Sequence, residues 1–559
     1  MEEACQDLCL IVANCAFGAY NDPKHEFQGG NTMPNWLRDA VFYEIYPQSF
    51  YDTNGDGIGD FAGIEAKLDY VKSLGCNAIW LNPCFESPFM DAGYDVSDYK
   101  KTAPRYGTNE DLERLFMKAH EKGMHIILDL VPGHTSDRHE WFLSSKDPDQ
   151  DAYKNRYVWT DSVWNAPEEY RWERGLADRD GSYMVNFFSS QPALNYGFKE
   201  ITHPEWQLPT DHPDCLGTVE AIKDVMRFWL DRGADGFRVD MADSLVKNDD
   251  NEKSATSAIW RGIREMLDRE YPEAAFISEW SNPDLSLTAG FHADFQLDHG
   301  DNWYHALCRA GLWGEEGPKV PVFSPDGNGD VTHYLERFLR EQKNAEGKGY
   351  LSFITCNHDT PRLSATLTPE ERRLASAFLL LMPGAPFVYY GDEIGMRYQD
   401  GLRSKEGGYQ RTGTRTPMQW NQGKNLGFST AAAEDLYLPV DPLPDAPTVE
   451  AEENDPDSML YLFRRVLAFR KKHEELHADG LLTPVYAEKG QYPFVFRRGR
   501  FLICVNPTLT PREAELNAEL KGTLALLVEG KPGKDMPVAS LAEGKVTLGP
   551  EVLAVFEIK

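Results

Sequence analysis

Four acids stand out by position. Asp129, Asp240, Glu279 and Asp359 fall at or near the C-terminal ends of short β-rich runs, in DLVPGHT, GFRVDM, FISEW and LSFITCNHD. Two carboxyl groups flanking a glycosidic bond can break it, one attacking the anomeric carbon while the other protonates the leaving oxygen. Asp240 suits the attacking role. Arg238, two residues earlier, projects from the same face of the strand, where a guanidinium favours and orients an ionised carboxylate. Glu279 suits the acid, because the adjacent Trp280 is an apolar neighbour of the kind that raises a carboxyl pKa. Asp359 is a third carboxylate, able to grip sugar hydroxyls as the ring flattens toward an oxocarbenium ion. His134 and His358 lie close by in sequence. A lone Asp at a strand end usually caps a turn or the next helix, so it is the set, together with Arg238, that carries this reading.

Residues so far apart meet only if a scaffold turns many strand ends toward one place. From Val41 onward there are eight candidate strands: VFYEIYP (41–47), AIWLNP (78–83), IILDLV (126–131), GFRVDM (236–241), FISEW (276–280), FHADFQLD (291–298), LSFITCNHD (351–359) and PFVYYGDE (386–393). Helical stripes lie between them, such as Ile64, Leu68, Val71 and Leu74, or Leu112, Leu115, Phe116 and Ala119, or Ile222, Val225, Met226, Trp229 and Leu230. This alternation predicts an α/β fold, a parallel (β/α)8 TIM barrel whose strand C-termini share one rim. The short connection between the fifth and sixth runs is the weak point of that assignment. Residues 34–133 and 206–479 make the barrel. Residues 134–205, rich in Trp, Tyr, Asp and Pro, read as an inserted domain B after the third strand. Residues 480–559, with runs such as FVFRRG and FLICVN, read as a C-terminal all-β sandwich. Residues 1–33 read as an N-terminal extension.

Composition bounds the setting. Among 559 residues, 57 Lys+Arg against 89 Asp+Glu give a formal net charge of −32. Such a surface repels phosphate backbones and anionic lipid, so neither a nucleic acid nor a membrane is expected as partner. Nine cysteines with no CxxC pair suggest free thiols in a reducing compartment rather than a disulfide framework. The N-terminus lacks a basic n-region, and no apolar stretch approaches membrane-spanning length. A cytoplasmic monomer acting on a small oligosaccharide or disaccharide is the expectation.

One more motif could bind an ion. DTNGDGIGD (52–60) spaces Asp52, Asn54, Asp56 and Asp60 at loop positions 1, 3, 5 and 9, with the Ile58 carbonyl at 7. That is the oxygen spacing of an EF-hand loop, although Gly63 stands where its closing Glu would be. A structural Ca2+ is expected there, holding the loop rigid rather than doing chemistry.

DLVPGHTSDRHEWF (129–142), GFRVDMADS (236–244), ISEW (277–280) and ITCNHDTPR (354–362) resemble, in order, the four conserved regions of the α-amylase superfamily, glycoside hydrolase family 13. QPALN (191–195), GDFAGI (59–64) and RTPMQW (415–420) resemble markers of its oligo-1,6-glucosidase, α-glucosidase and trehalose synthase branch. The resemblance implies Asp240 as nucleophile, Glu279 as acid/base and Asp359 as transition-state stabiliser. It implies that His134 and His358 hydrogen-bond the sugar, with Arg238 beside the nucleophile. Tyr94 would stack on the ring, Asp95 would bind the hydroxyls of a terminal glucose, and Arg415 would help close the pocket. A structural calcium in the acidic loop is also implied. The activity implied is a retaining exo-acting α-glucosidase; an isomerase or transferase of the trehalose synthase or sucrose isomerase type would share the same intermediate. A non-catalytic barrel serving as a binding subunit is disfavoured, because the acids are kept. Gly133 replaces an Asn, Ala193 replaces the Asp of QPDLN, and Asn421 replaces the usual Asp after RTPMQW. Met241 matches neither the Val of 1,6-specific relatives nor the Thr or Ala of 1,4-specific ones, so linkage preference stays open.

Overall fold

The computed structural model describes residues 33–297, 303–311, 319–326, 329–406, 411–516, 520–532 and 539–558. The expected extension 1–33 therefore lies, but for Met33, outside the described residues. All eight expected strands form: β1 (Phe42–Ile45), β2 (Ala78–Leu81), β3 (His125–Leu130), β4 (Gly236–Val239), β5 (Ala275–Ser278), β6 (Ala293–Gln296), β7 (Tyr350–Ile354) and β8 (Ala385–Tyr389). Hydrogen bonds run in the order β1-β8-β7-β6-β5-β4-β3-β2 and close the sheet into a barrel, every pair parallel. Covered on both faces, such strands read as nearly unbroken apolar runs. Aromatic rings pack among the strands: Phe42 stacks on Phe387 at 4.2 Å and Phe295 meets Phe387 at 4.8 Å.

The helical stripes bury as their spacing predicts. Ile64 lies on α1 (Phe61–Ala66), and Leu68, Val71 and Leu74 on α2 (Leu68–Leu74), the single expected helix being broken at Lys67. Leu112, Leu115, Phe116 and Ala119 form the inner face of α3 (Asn109–Glu121), which opens on a Thr108–Asp111 capping box. α4 (Pro213–Leu230) buries Ile222, Val225, Met226, Trp229 and Leu230. The short β5–β6 connection holds only a one-turn helix, Pro283–Ser286. It is tied down by buried Asp294 on β6, whose carboxylate accepts the backbone N–H groups of Trp280, Ser281 and Asn282 at 3.1, 3.3 and 2.9 Å.

The excursion between β3 and β4 carries a short helix (Glu140–Ser145), an antiparallel ribbon (Trp172–Arg174 with Ser182–Met184) and a small core of its own from Val158, Met184, Ala193, Phe198 and Trp206. A bridge between His134 and Ala193 ties it to the end of β3. At the other end of the chain, a five-stranded and a three-stranded sheet, all antiparallel, enclose a core that includes Val495, Leu502 and Val546. Among the described residues no helix is long and apolar enough to cross a membrane.

Candidate active site

A pocket of about 150 Å3 opens at the C-terminal ends of the barrel strands, with Asp240, Glu279 and Asp359 in its lining. Asp240 follows β4 and Glu279 follows β5. Parallel-ladder hydrogen bonds extend past both strands, from Asp240 N to the Leu130 carbonyl and from Glu279 N to the Val239 carbonyl, each at 2.9 Å. Arg238, almost wholly buried, joins the acids. One arm of its guanidinium lies 2.9 Å from Asp129 Oδ1 and 3.2 Å from Asp240 Oδ1; the other lies 2.7 Å from Glu279 Oε1. Met241, in the left-handed region at φ 41°, costs roughly 1–2 kcal/mol as a non-glycine residue there. That turn aims its N–H at Glu279 Oε2, 3.1 Å away.

As expected, the Arg238 guanidinium favours the ionised form of Asp240, but it does not act alone. The guanidinium does lower its pKa, but burial and the neighbouring Glu279 charge outweigh it and push Asp240 well above the ordinary carboxylate range. Crowding of this kind retains a proton among the acids, as general acid catalysis needs.

Asp359, beyond β7, has the opposite company. Its Oδ1 accepts from Arg411 Nη1 at 2.7 Å and Arg415 Nη2 at 2.9 Å, and its Oδ2 from His358 Nε2 at 3.0 Å. Burial alone would raise its pKa, yet His358, Arg411 and Arg415 hold it well below the carboxylate range. Arg411 also pairs through its other arm with Asp91, which accepts in turn from Gln191 of QPALN at 2.8 Å. This Asp91–Arg411–Asp359 bridge forms one side of the pocket, and Phe187 and Phe188 from the inserted segment line it as well.

Besides Arg238, four expected residues sit elsewhere than the pocket lining. Asp129 lies beneath Arg238, spending its oxygens on Arg238, Trp80 Nε1 and the Tyr94 hydroxyl. Asp95 is wholly buried and accepts from Ser87 Oγ, Met90 N and Asp91 N at 2.9, 2.9 and 3.0 Å. It therefore shapes the loop that presents Asp91, and Asp91 is the acid that faces the pocket. Arg415 is buried behind Arg411, held by Glu406 and the His358 carbonyl as well as Asp359. His358 lies fully buried below Asp359, both ring nitrogens engaged. Tyr94 and His134 do line the pocket. The Tyr94 ring stacks on His358 at 5.4 Å. His134 donates from Nε2 to the Tyr94 carbonyl at 3.1 Å and accepts at Nδ1 from Asn186 at 3.0 Å. Burial lowers its pKa to about 3, so it is neutral. Asn186 fills the space a side chain at Gly133 would take, 2.8 Å from where that Cβ would stand. Sequence reasoning missed Asp91, Arg411, Asn186 and the two phenylalanines. The readable signals were the acid three residues before Tyr94 and the first arginine of QRTGTR.

The acidic loop folds on its own acceptors. Asp52 takes the N–H groups of Gly55 and Gly57, Asn54 that of Asp56, and Asp56 that of Ile58, at 2.7–2.9 Å. Asp60 caps α1 by accepting from Gly63 N at 2.7 Å and also takes Thr53 N at 3.0 Å. Among the described residues no three His, Cys, Asp or Glu side chains converge as a metal cluster. The five expected donors here include an amide oxygen and a backbone carbonyl, an all-oxygen set whose chemistry fits a hard cation.

Comparison with known proteins agrees with this geometry. Residues 44–479 match the model of the alpha-amylase catalytic domain. The chain is 34% identical to trehalose synthase/amylase TreS of Mycolicibacterium smegmatis over 495 residues, covering 80% of this chain and 79% of that one. It is 31% identical to the oligo-1,6-glucosidase of Parageobacillus thermoglucosidasius, covering 78% and 84%. The crystal structure of trehalulose synthase MutB from Pseudomonas mesoacidophila MX-45 aligns with a TM-score of 0.77 at 25% identity, covering 94% of this chain and 99% of that one. The chain belongs to the alpha-amylase family, glycoside hydrolase family 13, as an enzyme acting on glucosides whose relatives include oligo-1,6-glucosidases, α-glucosidases and trehalose synthases.

Proposed function

We propose that this enzyme is a retaining, exo-acting α-glucosidase that releases glucose from short α-glucosides through a covalent glucosyl–Asp240 intermediate. The observation that carries this reading is the clamping of Asp240 and Glu279 by one Arg238 guanidinium inside a pocket bounded by the Asp91–Arg411–Asp359 bridge. Asp240 attacks the anomeric carbon as Glu279 gives a proton to the departing oxygen; Glu279 then takes a proton from water as the ester opens. Asp359, kept ionised by its cations, faces the positive charge that develops on the ring. Asp91 and Arg411 bind hydroxyls of the terminal glucose, Tyr94 offers its ring, and neutral His134 is locked in one tautomer. The pocket's small volume, about 150 Å3, favours end-on entry over a bound glucan chain.

A second reading keeps the same intermediate and transfers the glucosyl group to a sugar held in the pocket. The likeness to proteins named trehalose synthase and trehalulose synthase favours it. The acidic loop is proposed to hold a structural calcium through Asp52, Asn54, Asp56, the Ile58 carbonyl and Asp60. Bound there, the ion would rigidify the loop. NMR of the products from maltose, isomaltose, sucrose and trehalose tests both readings. Free glucose released first as the α-anomer supports the glucosidase, a rearranged disaccharide supports the transferase, and first-formed β-glucose overturns retention.

A further inference from the structure

Below the pocket one acid has no part in the chemistry described so far. Glu44 is fully buried on β1, an acid among Phe42, Tyr43 and Ile45. Its Oε1 accepts from His358 Nδ1 at 2.8 Å, while Oε2 meets no hydrogen-bond donor. Asn82 Nδ2 lies 3.1 Å from both Glu44 Oε1 and His358 Nδ1 and places an N–H on the carboxylate. A carboxylate buried with one oxygen unpaired is costly unless its partner is charged.

The other side of the His358 ring shows what that partner is. Nε2 lies 3.0 Å from Asp359 Oδ2 and 2.6 Å from the Tyr94 hydroxyl. That hydroxyl gives its own proton to Asp129 Oδ2 at 3.1 Å, so toward His358 it accepts. Each ring nitrogen thus faces an oxygen acceptor, and only the doubly protonated imidazolium donates on both sides.

We infer that Glu44 is a positioning residue: it holds His358 as the imidazolium, which in turn fixes the orientation and charge of Asp359. The inference rests on the proposed role of Asp359 in stabilising the transition state. The surroundings of the imidazole agree. Burial lowers its pKa, but Asp359 and Glu44 overcome this and raise His358 to about 9. From the other elements packed on the ring come Asn82 and the Trp80 edge after and on β2, the Tyr94 hydroxyl, and Asp129 on β3. Arg415 donates to the His358 carbonyl rather than to the ring, and Arg238 acts on Glu44 at longer range.

Glu44→Gln keeps the shape and an acceptor oxygen but removes the charge. On an aryl α-glucoside the variant should lose roughly tenfold in kcat with KM little changed, as expected for losing a charged hydrogen bond. The alkaline limb of its kcat profile should move down by about one pH unit or more. A purely structural role would cut the folded fraction and leave that limb in place. Nitrogen NMR of histidine-labelled enzyme, with the His358 signal identified by its loss in His358→Gln, reads the imidazole directly. A charged wild-type ring at pH 7 that titrates lower in Glu44→Gln supports the proposal. A neutral wild-type ring at pH 7 overturns it even if the variant does not fold, as does a variant with both limb and titration unmoved. If wild type converts no glucoside, the functional reading fails and the titration alone decides this one.

Discussion

On one side of the pocket a single guanidinium, Arg238, serves three carboxylates, Asp129, Asp240 and Glu279. On the other a single carboxylate, Asp359, is held by Arg411, Arg415 and His358. Both clusters sit at strand ends of the same barrel, yet their acids are driven in opposite directions, Asp240 upward and Asp359 downward. Residue type decides neither. Burial raises both, and the balance of neighbouring cations against neighbouring anions decides which way each ends, a difference that the two proposed roles need. Attack with simultaneous protonation requires one proton kept among the crowded acids and carried by Glu279 when Asp240 attacks, whereas stabilising an oxocarbenium ion requires a charge that never protonates.

The largest effect that tests this contrast is on the crowded side. Asp240→Asn should lower kcat by roughly 10^3-fold or more, as for removal of other nucleophiles, while calorimetric titration still detects maltose binding. Turnover near the wild-type rate would remove Asp240 from the chemistry. Next comes the cation-rich side. Arg411→Ala breaks the bridge from Asp91 to Asp359 and leaves two acids without that partner. A loss of about 2–3 kcal/mol, roughly 30- to 150-fold in kcat/KM, is expected from truncating one member of a buried charge pair. Much of it should fall on KM, because Asp91 and Arg411 are proposed to grip the terminal glucose. A change below about twofold would show that the bridge is not part of substrate recognition.

How legible each side was in the sequence follows from how it is built. The strands were readable because burial on both faces leaves apolar runs, and Asp240, Glu279 and Arg238 were readable because strand ends place side chains by a rule. Asp359 shared that advantage. Asp91 and Arg411 come from loops and meet across 320 positions by an ion pair that no periodicity announces. Choosing Asp95 over Asp91 misplaced by four residues the acid facing the pocket, since a loop has no repeating geometry to say which carboxylate points outward. Asp129 obeyed the strand-end rule and still turned beneath Arg238, because the rule fixes height along the barrel and not which neighbour claims the oxygens. Glu44 offered a signal of its own, an acid inside an otherwise apolar run, which is costly to bury unless something charged answers it.

The smallest effect is on stability, and there the two sides should differ in sign. Asp359 has a folded-state pKa below its unfolded value near 3.9. It contributes stability above the unfolded pKa, lost as pH falls through the folded one. Asp240 has a raised folded-state pKa, so its contribution is fully present only below the unfolded value and is lost as pH rises through the folded one. At pH 7, Asp359→Asn should therefore unfold at a lower temperature than wild type and Asp240→Asn at a higher one, each by about 1–3 °C for a chain of this size. As pH falls below about 4 both differences should shrink, for Asp240 because folded and unfolded chains then both hold its proton, and for Asp359 because the unfolded chain protonates first and the native carboxylate only at its lower pKa. Differential scanning fluorimetry across pH reads this directly. If both variants moved Tm the same way at pH 7, the opposed electrostatics of the two sides would not extend to folding. Opposite signs would mean that the crowded acids are kept at the expense of stability, as expected where a site is arranged for chemistry rather than for its own rest state.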